Sequence, residues 1–263
     1  MNIHIYKIAN PISCIKEIII LQSDLPSDTL THIVPPFGYP EIIFYLGKPH
    51  QIKNVPCEKG FIKGQYTAVQ KIDFEENYHF ISVRLQPYGL KRLFNMDASE
   101  LQNAVLALEE HPTSELIGNF INNQTNIDAH FLKEFVGFID QLAIYPVSHS
   151  TLGFVQLINQ SDVKTIKSSI AEKGIGVRTL QRNFKKEVGL TPKEFLKISR
   201  MSMIEQQLAK HATIFQIVAD FDFTDQAHFV KEFKQLRNHT LTDFKRKRLF
   251  LQDQLGIPDM KTL

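Results

Sequence analysis

The stretch VRTLQRNFKKEVGLTPKEFLK, residues 177–197, decides how the C-terminal half of this chain folds. At about 100° per residue, as in an α-helix, the apolar side chains of its first part form one narrow stripe, and its basic and amide side chains cluster roughly 110° away. The stripe contains Val177, Leu180, Phe184 and Val188, and the polar cluster contains Arg178, Gln181, Arg182 and Lys185. One face of this helix is therefore expected to pack on a core, and the other face to point outward.

The end of the same stretch contains the start of a second helix. Thr191 precedes Pro192 at the first helical position and Glu194 at the third, which is a capping box. Leu190 and Phe195 flank this cap as a hydrophobic staple. The segment that follows is long enough for one helix of about 20 residues, which would span about 30 Å.

The segment before residue 177 completes the outline of a helix-turn-helix. Ser161 or Asp162 is expected to cap the helix VKTIKSSIAEK, and Gly174 to end it, because glycine readily adopts a positive φ. Only a short glycine turn then separates this helix from the basic one, as in a helix-turn-helix.

The same plan recurs 49 residues further along, in AHFVKEFKQLRNHTLTDFKRK. The shift relates Leu180 to Phe229, Arg182 to Lys231, Phe184 to Phe233, Lys185 to Lys234 and Gly189 to Asn238, and a cap recurs at Thr240 with Asp243. Thr213 with Gln216 is expected to open the first helix of this second unit, and Thr224 or Asp225 the second helix. Two recognition helices about 34 Å apart, one turn of DNA, enter successive major-groove segments. Residues 147–250 are thus predicted to form a two-headed DNA-binding domain, with residues 251–263 as a tail.

Charge is distributed unevenly along the chain. The net charge is +2, but residues 1–145 carry 11 Lys/Arg and 16 Asp/Glu, whereas residues 146–263 carry 19 and 12. The basic half is the half with the repeated helices, and a concentrated positive face favours a polyanionic partner, because each neutralised phosphate releases counterions. The alternative is a basic surface that is merely solvated.

The N-terminal half is predicted to be rich in strands. The stretches NIHIYKI, EIIFYLG and FISVRLQ alternate or are continuously apolar, and the turn signals PPFGYP and CEKG separate them. This pattern favours a small antiparallel β-barrel or sandwich over residues 1–112, so that the fold class of the chain is α+β. Asp97 with Glu100 predicts a helix within MDASELQNAVLAL.

Residues 113–146 are predicted to be a helical connector. Asp128 begins the helical pattern DAHFLKEFVGFIDQL, and Pro146 ends it. Its wide apolar stripe consists of Phe131, Leu132, Phe135, Phe138, Ile139 and Leu142. The stripe is either a face packed on its own domain, which is the commoner case, or the seam of a homodimer.

The sequence contains few signals for enzymatic chemistry, metal binding or membrane insertion. It has no G-x-S-x-G, Walker loop or G-x-G-x-x-G, and its ten histidines show no H-x-H or H-E-x-x-H spacing, so neither a cofactor nor a metal is expected. Cys14 and Cys57 are too few for a disulfide framework. Without a leader pattern or an apolar run of about 18 residues, a cytoplasmic protein is expected. Because the sequence shows no paired catalytic constellation, the protein is not expected to be an enzyme.

Glu41 and Arg84 are charged residues within otherwise apolar strands of the N-terminal half. They are either exposed at a strand edge or joined in an internal ion pair, because buried charges are normally paired. The more specific alternative makes them polar anchors of an effector pocket.

Two stretches, RTLQRNFKKEVGLTPKEFLKISR and IVADFDFTDQAHFVKEFKQLRNHTLTDF, resemble the two halves of the DNA-binding domain of AraC/XylS-type bacterial transcription regulators. The resemblance implies that Arg178, Gln181 and Arg182 contact bases or phosphates in the first recognition helix. It gives the same roles in the second helix to Gln226, Ala227, His228 and Lys231. Lys185, one turn further along the first helix, is expected to meet a phosphate. Less strongly, YPEIIFYLG, FIKGQ and ISVRLQPYGLKRLF resemble the N-terminal domain of a subgroup of these regulators, which implies a sensory role.

The chain departs from the family pattern mainly at turns. Gly176 stands where the family usually has a polar cap, Asp222 where it has a Gly before Phe, and Asn238 and Leu241 where it has Gly and Pro. Asn and Asp tolerate the left-handed conformation better than other non-glycine residues, so the turns are expected to persist. Ala227 offers only an apolar contact, such as one to a thymine methyl group, so the second helix is expected to act mainly as a clamp on the DNA backbone.

Together these patterns predict a sequence-specific DNA-binding transcription regulator, an activator or a repressor, controlled through its N-terminal domain by a small effector or by dimerisation. Double-stranded DNA is the expected partner, and no membrane partner is expected. The sequence leaves open whether the protein is a homodimer. If it is an activator, RNA polymerase is a further partner. Two alternatives remain open. One is an enzyme with an N-terminal catalytic barrel and a targeting or interaction domain, and the other is a helical domain that has lost DNA binding.

Overall fold

The computed structural model describes residues 2–22, 30–46, 58–74, 79–122, 127–160, 176–210, 213–244 and 259–263. Strands prevail up to residue 107 and helices from residue 112 to residue 244, which confirms the α+β class. The helix expected between Ser161 or Asp162 and Gly174 lies outside the described residues, and so does Cys57.

Within the described residues, nine strands form two sheets. The strands are β1 (Asn2–Lys7), β2 (Ile15–Gln22), β3 (Leu30–Val34), β4 (Glu41–Tyr45), β5 (Gly60–Lys63), β6 (Gln70–Phe74), β7 (His79–Leu85), β8 (Val105–Ala107) and β9 (Asp259–Thr262). Seven of them lie side by side in the order β8-β5-β4-β7-β2-β1-β9, and β3 pairs with β6 in the second sheet. All pairs are antiparallel except β1 with β9. The tail of the chain thus contributes an edge strand to the N-terminal sheet, which the sequence did not predict.

The α-helices with described bounds follow the predicted caps. They are α1 (Gly89–Phe94), α2 (Pro112–Asn122), α3 (Ala129–Leu142), α4 (His149–Gln160), α5 (Val177–Val188), α6 (Pro192–Ala209), α7 (Ile214–Asp220) and α8 (Gln226–Arg237). Asp128 caps α3 and Asp225 caps α8 through their carboxylates, and the expected capping boxes open α6 at Thr191 and α7 at Thr213. The 18-residue α6 is the long helix expected between the two units.

One predicted helix is wrong. Asp97 does act as an N-cap, but only a short 3-10 turn, Ala98–Leu101, follows it. Asn103 then adopts a left-handed conformation with φ of 59°, and Val105–Ala107 form β8, which pairs with β5. Pairing at the sheet edge decides the structure of this segment because a helix preference of a few tenths of a kcal/mol per residue is easily outweighed by tertiary contacts.

The apolar side chains form separate cores in the N-terminal domain and in the two helical units. The N-terminal core joins one face of the large sheet to α1, α2 and α3. The first helical unit has a core between α4, α5 and the start of α6, and the second has a core between the remainder of α6, α7 and α8. The helix α6 is therefore shared by both units.

The apolar stripe of α3 belongs to the N-terminal core. Phe131, Leu132, Phe135 and Ile139 are buried there, and Phe138 and Leu142 pack against them. Because its own domain covers most of this face, the structure favours the packed face over the dimer seam, the alternative for the 113–146 connector.

Replacing Phe135 by alanine should lower the free energy of unfolding by about 3–5 kcal/mol, because the change removes buried area and leaves a cavity. Phe135 is 1% exposed and meets the Phe44 ring edge-on, with 6.5 Å between ring centroids. Urea unfolding followed by circular dichroism measures the change. Phe138→Ala, at the partly exposed rim of the same stripe, is the matched control and should cost less. A Phe135→Ala protein of unchanged stability that had turned from dimer to monomer in sedimentation would contradict the core assignment.

Candidate nucleic-acid interface

The first helical unit presents one face of α5 to solvent. Leu180 and Phe184 are buried on the inner side, where the Phe184 ring packs edge-on against Phe154 of α4 at 5.1 Å between centroids. On the outer side Arg178, Gln181 and Arg182 are exposed. The structure thus places these three side chains outward, as the helical wheel predicts, while their contact with DNA stays a prediction.

Lys185 is placed differently from the other predicted DNA contacts of α5. It is half-buried, and its Nζ donates to the side-chain oxygen of Gln102 in the N-terminal domain and to the carbonyl oxygen of Gly189 at 3.2 Å. The N-terminal domain packs closely on this end of α5, because a Cβ at Gly189 would come within 2.6 Å of the Ala98 carbonyl oxygen. The helical wheel put Lys185 on the outward face because a projection of one helix cannot include a contact from another domain.

The second helical unit repeats this arrangement in α8. Phe229, Phe233 and Leu236 are buried, and Gln226, Ala227, His228 and Lys231 are exposed. The His228 Nδ1 lies 3.4 Å from the Thr224 hydroxyl, and its ring packs against Phe223 with 5.3 Å between centroids. The side chain of His228 is therefore held in place at the start of α8 by its neighbours.

The unusual turn residues adopt the conformations expected of them. Asn238 ends α8 with φ of 56°, as Gly189 ends α5 with φ of 86°, and Asp222 has φ of 57° in the turn between α7 and α8. Gly176, at the start of α5, supplies no side-chain cap. The turns thus persist with Asn and Asp at two of these positions, because both tolerate the left-handed region.

Each of α5 and α8 contains one acidic residue, and each is bound by a donor outside its own helix. Glu187 of α5 accepts hydrogen bonds from the backbone N–H and the hydroxyl of Ser148, at 3.0 and 2.7 Å. Glu232 of α8 forms an ion pair with Arg200 of α6. Because both carboxylates are tied to the scaffold, the outer faces keep the positive sign that phosphates require.

Arg237 joins the second unit to both α6 and the N-terminal domain. Its guanidinium is 1% exposed and binds the Glu205 carboxylate of α6 with two bonds of 2.5 and 2.8 Å. Its Nη1 also donates to the carbonyl oxygen of Pro36 at 3.1 Å. No sequence pattern indicates this role, because a basic residue in the last turn of a helix is ordinarily explained by the helix dipole.

Glu41 and Arg84 belong to a buried ionic cluster in the N-terminal domain. The Glu41 carboxylate accepts from Lys63 Nζ at 3.0 Å, Arg84 Nε at 2.8 Å and Ser82 Oγ at 3.1 Å. Arg84 Nη1 also donates to Glu17 at 2.5 Å. Burial by itself raises the pKa of Glu41, but the attraction and hydrogen bonds of Lys63 and Arg84 outweigh it and lower the pKa to about 2. The two residues thus form the internal ion pair that was one of the alternatives.

A cavity of about 940 Å³ lies between the N-terminal domain and the helical domain. Its wall includes Arg84, Lys16 and Tyr39 from the N-terminal domain, Gln156 from α4 and Ser202 from α6. The Lys16 ammonium lies 5.1 Å from the centre of the Tyr39 ring, a cation–π distance. Of the two residues suggested as effector anchors, Arg84 borders the cavity, whereas Glu41 lies behind Arg84 and is not part of the wall.

The described residues were also searched for a metal site and for a membrane-spanning helix. They contain no group of three or more His, Cys, Asp or Glu side chains that could hold a metal ion. No described helix has both the length and the apolar character required to cross a bilayer.

Cys14 is buried, and burial raises the pKa of its thiol to about 12, so the reactive thiolate is scarce at neutral pH.

Replacing Glu41 by glutamine should destabilise the protein by about 3–5 kcal/mol at neutral pH, because Lys63 and Arg84 would stay buried without their carboxylate. The difference from the parent protein should shrink as the pH falls from about 4.5 to about 2. A carboxyl group whose folded pKa is depressed contributes stability above its unfolded pKa and loses it as the folded form protonates. Urea unfolding over this pH range measures the difference, with the exposed Glu100→Gln as a control of nearly unchanged stability. A pH-independent difference would show that the cluster does not hold Glu41 ionised.

Two family models match the chain, one on each half. Residues 170–247 match the model described as a helix-turn-helix domain, and residues 12–107 match a domain of unknown function. The first match contains α5, α6, α7 and α8, the helices that build the two basic faces. No curated protein matches the chain.

Solved structures of two proteins are similar to the chain at low sequence identity. A ligand-free variant of ToxT from Vibrio cholerae is 14% identical, with 86% of this chain and 96% of that chain covered and a TM-score of 0.44. Wild-type ToxT bound to an unsaturated fatty acid is also 14% identical, covers 92% and 97%, and has a TM-score of 0.43. The AraC-like transcriptional activator CuxR is 14% identical, covers 93% and 76%, and has a TM-score of 0.22. Because all three TM-scores are below 0.5, these similarities carry no conclusion about the ligand of this chain.

Proposed function

We propose that this chain, a DNA-binding transcription regulator of the AraC/XylS type, contacts its DNA site with the exposed faces of α5 and α8. The observation that supports this proposal is the same in both units. Each helix buries its aromatic stripe, exposes most of its basic and amide side chains, and has its single carboxylate bound by the scaffold. Two such faces joined by one helix suit two successive segments of a major groove.

In the first unit, Arg178, Gln181 and Arg182 are the proposed base contacts. Arginine can donate two hydrogen bonds to guanine O6 and N7, and glutamine can pair with adenine N6 and N7. All three side chains are exposed on one side of α5. Lys185 can meet a phosphate only after it leaves Gln102, so its contribution should be smaller than that of a free surface lysine.

In the second unit, the start of α8 supplies Gln226, Ala227 and His228, and Lys231 follows one turn later. Gln226 is the proposed base contact, and Ala227 offers only apolar contact. The exposed Lys231 is a flexible point charge that suits a phosphate. This side-chain set supports a second unit that mainly clamps the DNA backbone.

Arg182→Ala and Lys231→Ala should weaken DNA binding in different ways. Arg182→Ala should cost about 1–3 kcal/mol on a duplex selected by this protein from random DNA, and much less on random duplexes, because it removes a base contact. Lys231→Ala should weaken binding to both kinds of duplex alike and reduce the salt dependence by about one unit of slope, because it removes a phosphate contact. Lys185→Ala should change either affinity less than Lys231→Ala does.

Competition titrations with selected and random duplexes at several salt concentrations measure these differences. An equal loss on both duplexes from Arg182→Ala would remove that residue from the base contacts. Val177→Ala, an exposed position of α5 without a polar group, is the matched control and should change neither affinity.

The proposed control of this regulator is a small effector bound in the cavity between the two domains. The cavity wall contains residues of the sheet, α4 and α6, so a bound molecule would contact both domains at once. Its N-terminal side is cationic, because Lys7 and Lys16 lie on the wall beside Arg84, whose own charge is paired with Glu17 and Glu41. A small polar anion therefore suits this wall best. The rival proposal, control by dimerisation through α3, loses its main support because the apolar stripe of α3 is covered by its own domain.

Anionic effectors should stabilise the protein against heat, because a ligand that binds only the folded state raises the free energy of unfolding by RT ln(1 + [L]/Kd). The test is thermal unfolding with a panel of small organic acids and, for each acid, its uncharged amide. Acids that raise the melting temperature should lose this effect in Lys16→Ala but keep it in Lys133→Ala, an exposed lysine of α3. Equal stabilisation by the amides, or an unchanged effect in Lys16→Ala, would contradict an anion site at Lys16.

The alternative of catalysis in the N-terminal domain has no observation in its favour among the described residues. The buried carboxylate of Glu41 is fully engaged by two cations and a hydroxyl, and it does not reach the cavity.

A further inference from the structure

Arg200, on α6, contacts three successive parts of the second helical unit. Its Nη1 donates to the carbonyl oxygen of Phe221, the residue that ends α7, at 3.3 Å. Its guanidinium carbon lies 4.3 Å from the centre of the Phe223 ring, in the turn between α7 and α8. Its Nη2 forms the ion pair with Glu232 of α8. One side chain thus connects the long helix with the end of α7, with the turn and with the middle of α8.

The ion pair between Arg200 and Glu232 is shielded from solvent. The two side chains are 15% and 12% exposed, and the loss of one partner from such a pair leaves a largely buried charge uncompensated. The planar guanidinium of arginine can pair with a carboxylate, donate to a carbonyl and stack on a ring at the same time. The ammonium of lysine is a point charge on a flexible stem. The full set of contacts therefore requires arginine.

The partners of Arg200 support the start of α8, where the proposed base contact lies. The Phe223 ring packs edge-on against the ring of His228, with 5.3 Å between centroids. Glu232 Oε2 lies 4.0 Å from His228 Nε2. Gln226 is the first residue of the same helix, and its side chain is exposed. A change at Arg200 should therefore loosen the turn of α8 on which Gln226 stands.

The first helical unit has different residues at the equivalent positions. The shift of 49 residues that relates the two units places Thr151 at the position of Arg200 and Asn183 at the position of Glu232. Thr151 is fully buried, and Asn183 Nδ2 donates to the Ser150 hydroxyl at 3.5 Å. Because Thr151 and Asn183 carry no charge, they cannot form this ion pair. The contact thus belongs to the second unit and not to the plan that both units share.

Base contacts and phosphate contacts should respond differently to a loosened helix. A bidentate contact to a base edge requires two hydrogen bonds in good geometry, and hydrogen bonds weaken steeply as their angles depart from linearity. A lysine that meets a phosphate is a flexible point charge, so it tolerates a small shift of its helix. A loosened α8 should therefore lose discrimination between bases before it loses affinity for DNA in general.

We infer that Arg200 is a positioning residue of the second recognition helix: through Glu232 and Phe223 it holds the start of α8, so that Gln226 meets one base pair in a fixed orientation. This role rests on the proposed contact of α8 with DNA and goes beyond it, because it makes a shielded residue of the scaffold a determinant of base specificity. No base or phosphate contact is assigned to Arg200.

The first step of the test locates the base pair that Gln226 contacts. A duplex selected by the full chain from random DNA is changed at one base pair at a time, and the loss of affinity caused by each change is its penalty. The base pair sought is the one whose change costs the parent protein about tenfold or more, and Gln226→Ala much less.

The second step measures the same penalties in Arg200→Lys, which keeps the positive charge but cannot form all three contacts at once. The penalty at the Gln226 base pair should fall to less than about threefold, because the bidentate contact is no longer held in place. The penalties at base pairs contacted by α5, the affinity for random duplexes and the slope of the salt dependence should stay near those of the parent protein, since no phosphate contact is removed.

Glu232→Gln loosens the same contact from the side of α8. It should lower the penalty at the Gln226 base pair in the same direction, and the double variant with Arg200→Lys should lose no more than the larger of the two single losses, because both changes affect one interaction. Thermal unfolding shows whether each variant is folded at the assay temperature. If Arg200→Lys is not, Glu232→Gln by itself decides the question.

Lys197→Ala is the matched control. Lys197 Nζ donates to Gln235 Oε1 at 3.0 Å, so this lysine also joins α6 to α8, but its contact is exposed. An exposed hydrogen bond exchanges readily with water and restrains a helix little. Lys197→Ala should therefore leave the penalty at the Gln226 base pair unchanged.

The outcomes separate this inference from the proposed function. A full penalty at the Gln226 base pair in folded Arg200→Lys and Glu232→Gln proteins would overturn the positioning role and leave the DNA contact of α8 intact. An equal loss of affinity for selected, changed and random duplexes would also overturn it, because Arg200 would then support only the fold. If Gln226→Ala altered no penalty, the proposed base contact would be refuted, and the inference with it.

Discussion

The helix α6 is the constraint on which the rest of the C-terminal half depends. Its first half contributes Phe195 and Ile198 to the core of the first unit, and its second half contributes Met201, Ile204 and Leu208 to the core of the second. A helix of 18 residues spans about 27 Å and bends little, so the two cores cannot approach each other or separate freely. The positions of α5 and α8 follow from this, because each packs its aromatic residues on one end of the same rigid element.

The charge of the two outer faces depends on the same scaffold. The carboxylate of α5 accepts hydrogen bonds from Ser148, and the carboxylate of α8 is paired with Arg200; both partners lie on neighbouring parts of the helical domain. Arg200 also stacks on the Phe223 ring, with its guanidinium carbon 4.3 Å from the ring centroid. Packing and electrostatics are therefore coupled, since Arg200 both packs on Phe223 and offsets the negative charge of Glu232, which would otherwise repel phosphates.

The N-terminal domain is connected to this scaffold by charged as well as apolar contacts. The Glu41 cluster holds Arg84, whose guanidinium carbon stacks 4.2 Å from the centre of the Phe37 ring. The neighbouring Pro36 carbonyl receives the hydrogen bond of Arg237 from the second helical unit. A continuous set of contacts thus leads from the ionic cluster beside the cavity to the end of α8. A molecule bound against Arg84, as proposed, would lie at one end of this set of contacts.

The sequence by itself determined the helical domain well. Its caps at Thr191 and Thr213, the left-handed turns at Asp222 and Asn238, and the outward direction of Arg178 and Arg182 all follow from local rules that act within one turn of a helix. The strands β1, β4 and β7 were readable for the same reason, because alternation and continuous apolar runs are local signals.

Only the tertiary structure decided the features that join distant parts of the chain. The segment at Val105 became a strand because β5 offered an edge, and Lys185 turned inward because Gln102 of another domain approached it. The burial of Arg237, the cavity between the domains and the return of residues 259–263 to β1 likewise depend on contacts between residues far apart in sequence. Such contacts leave no periodic pattern, because their energy depends on which surfaces meet after the local elements have formed.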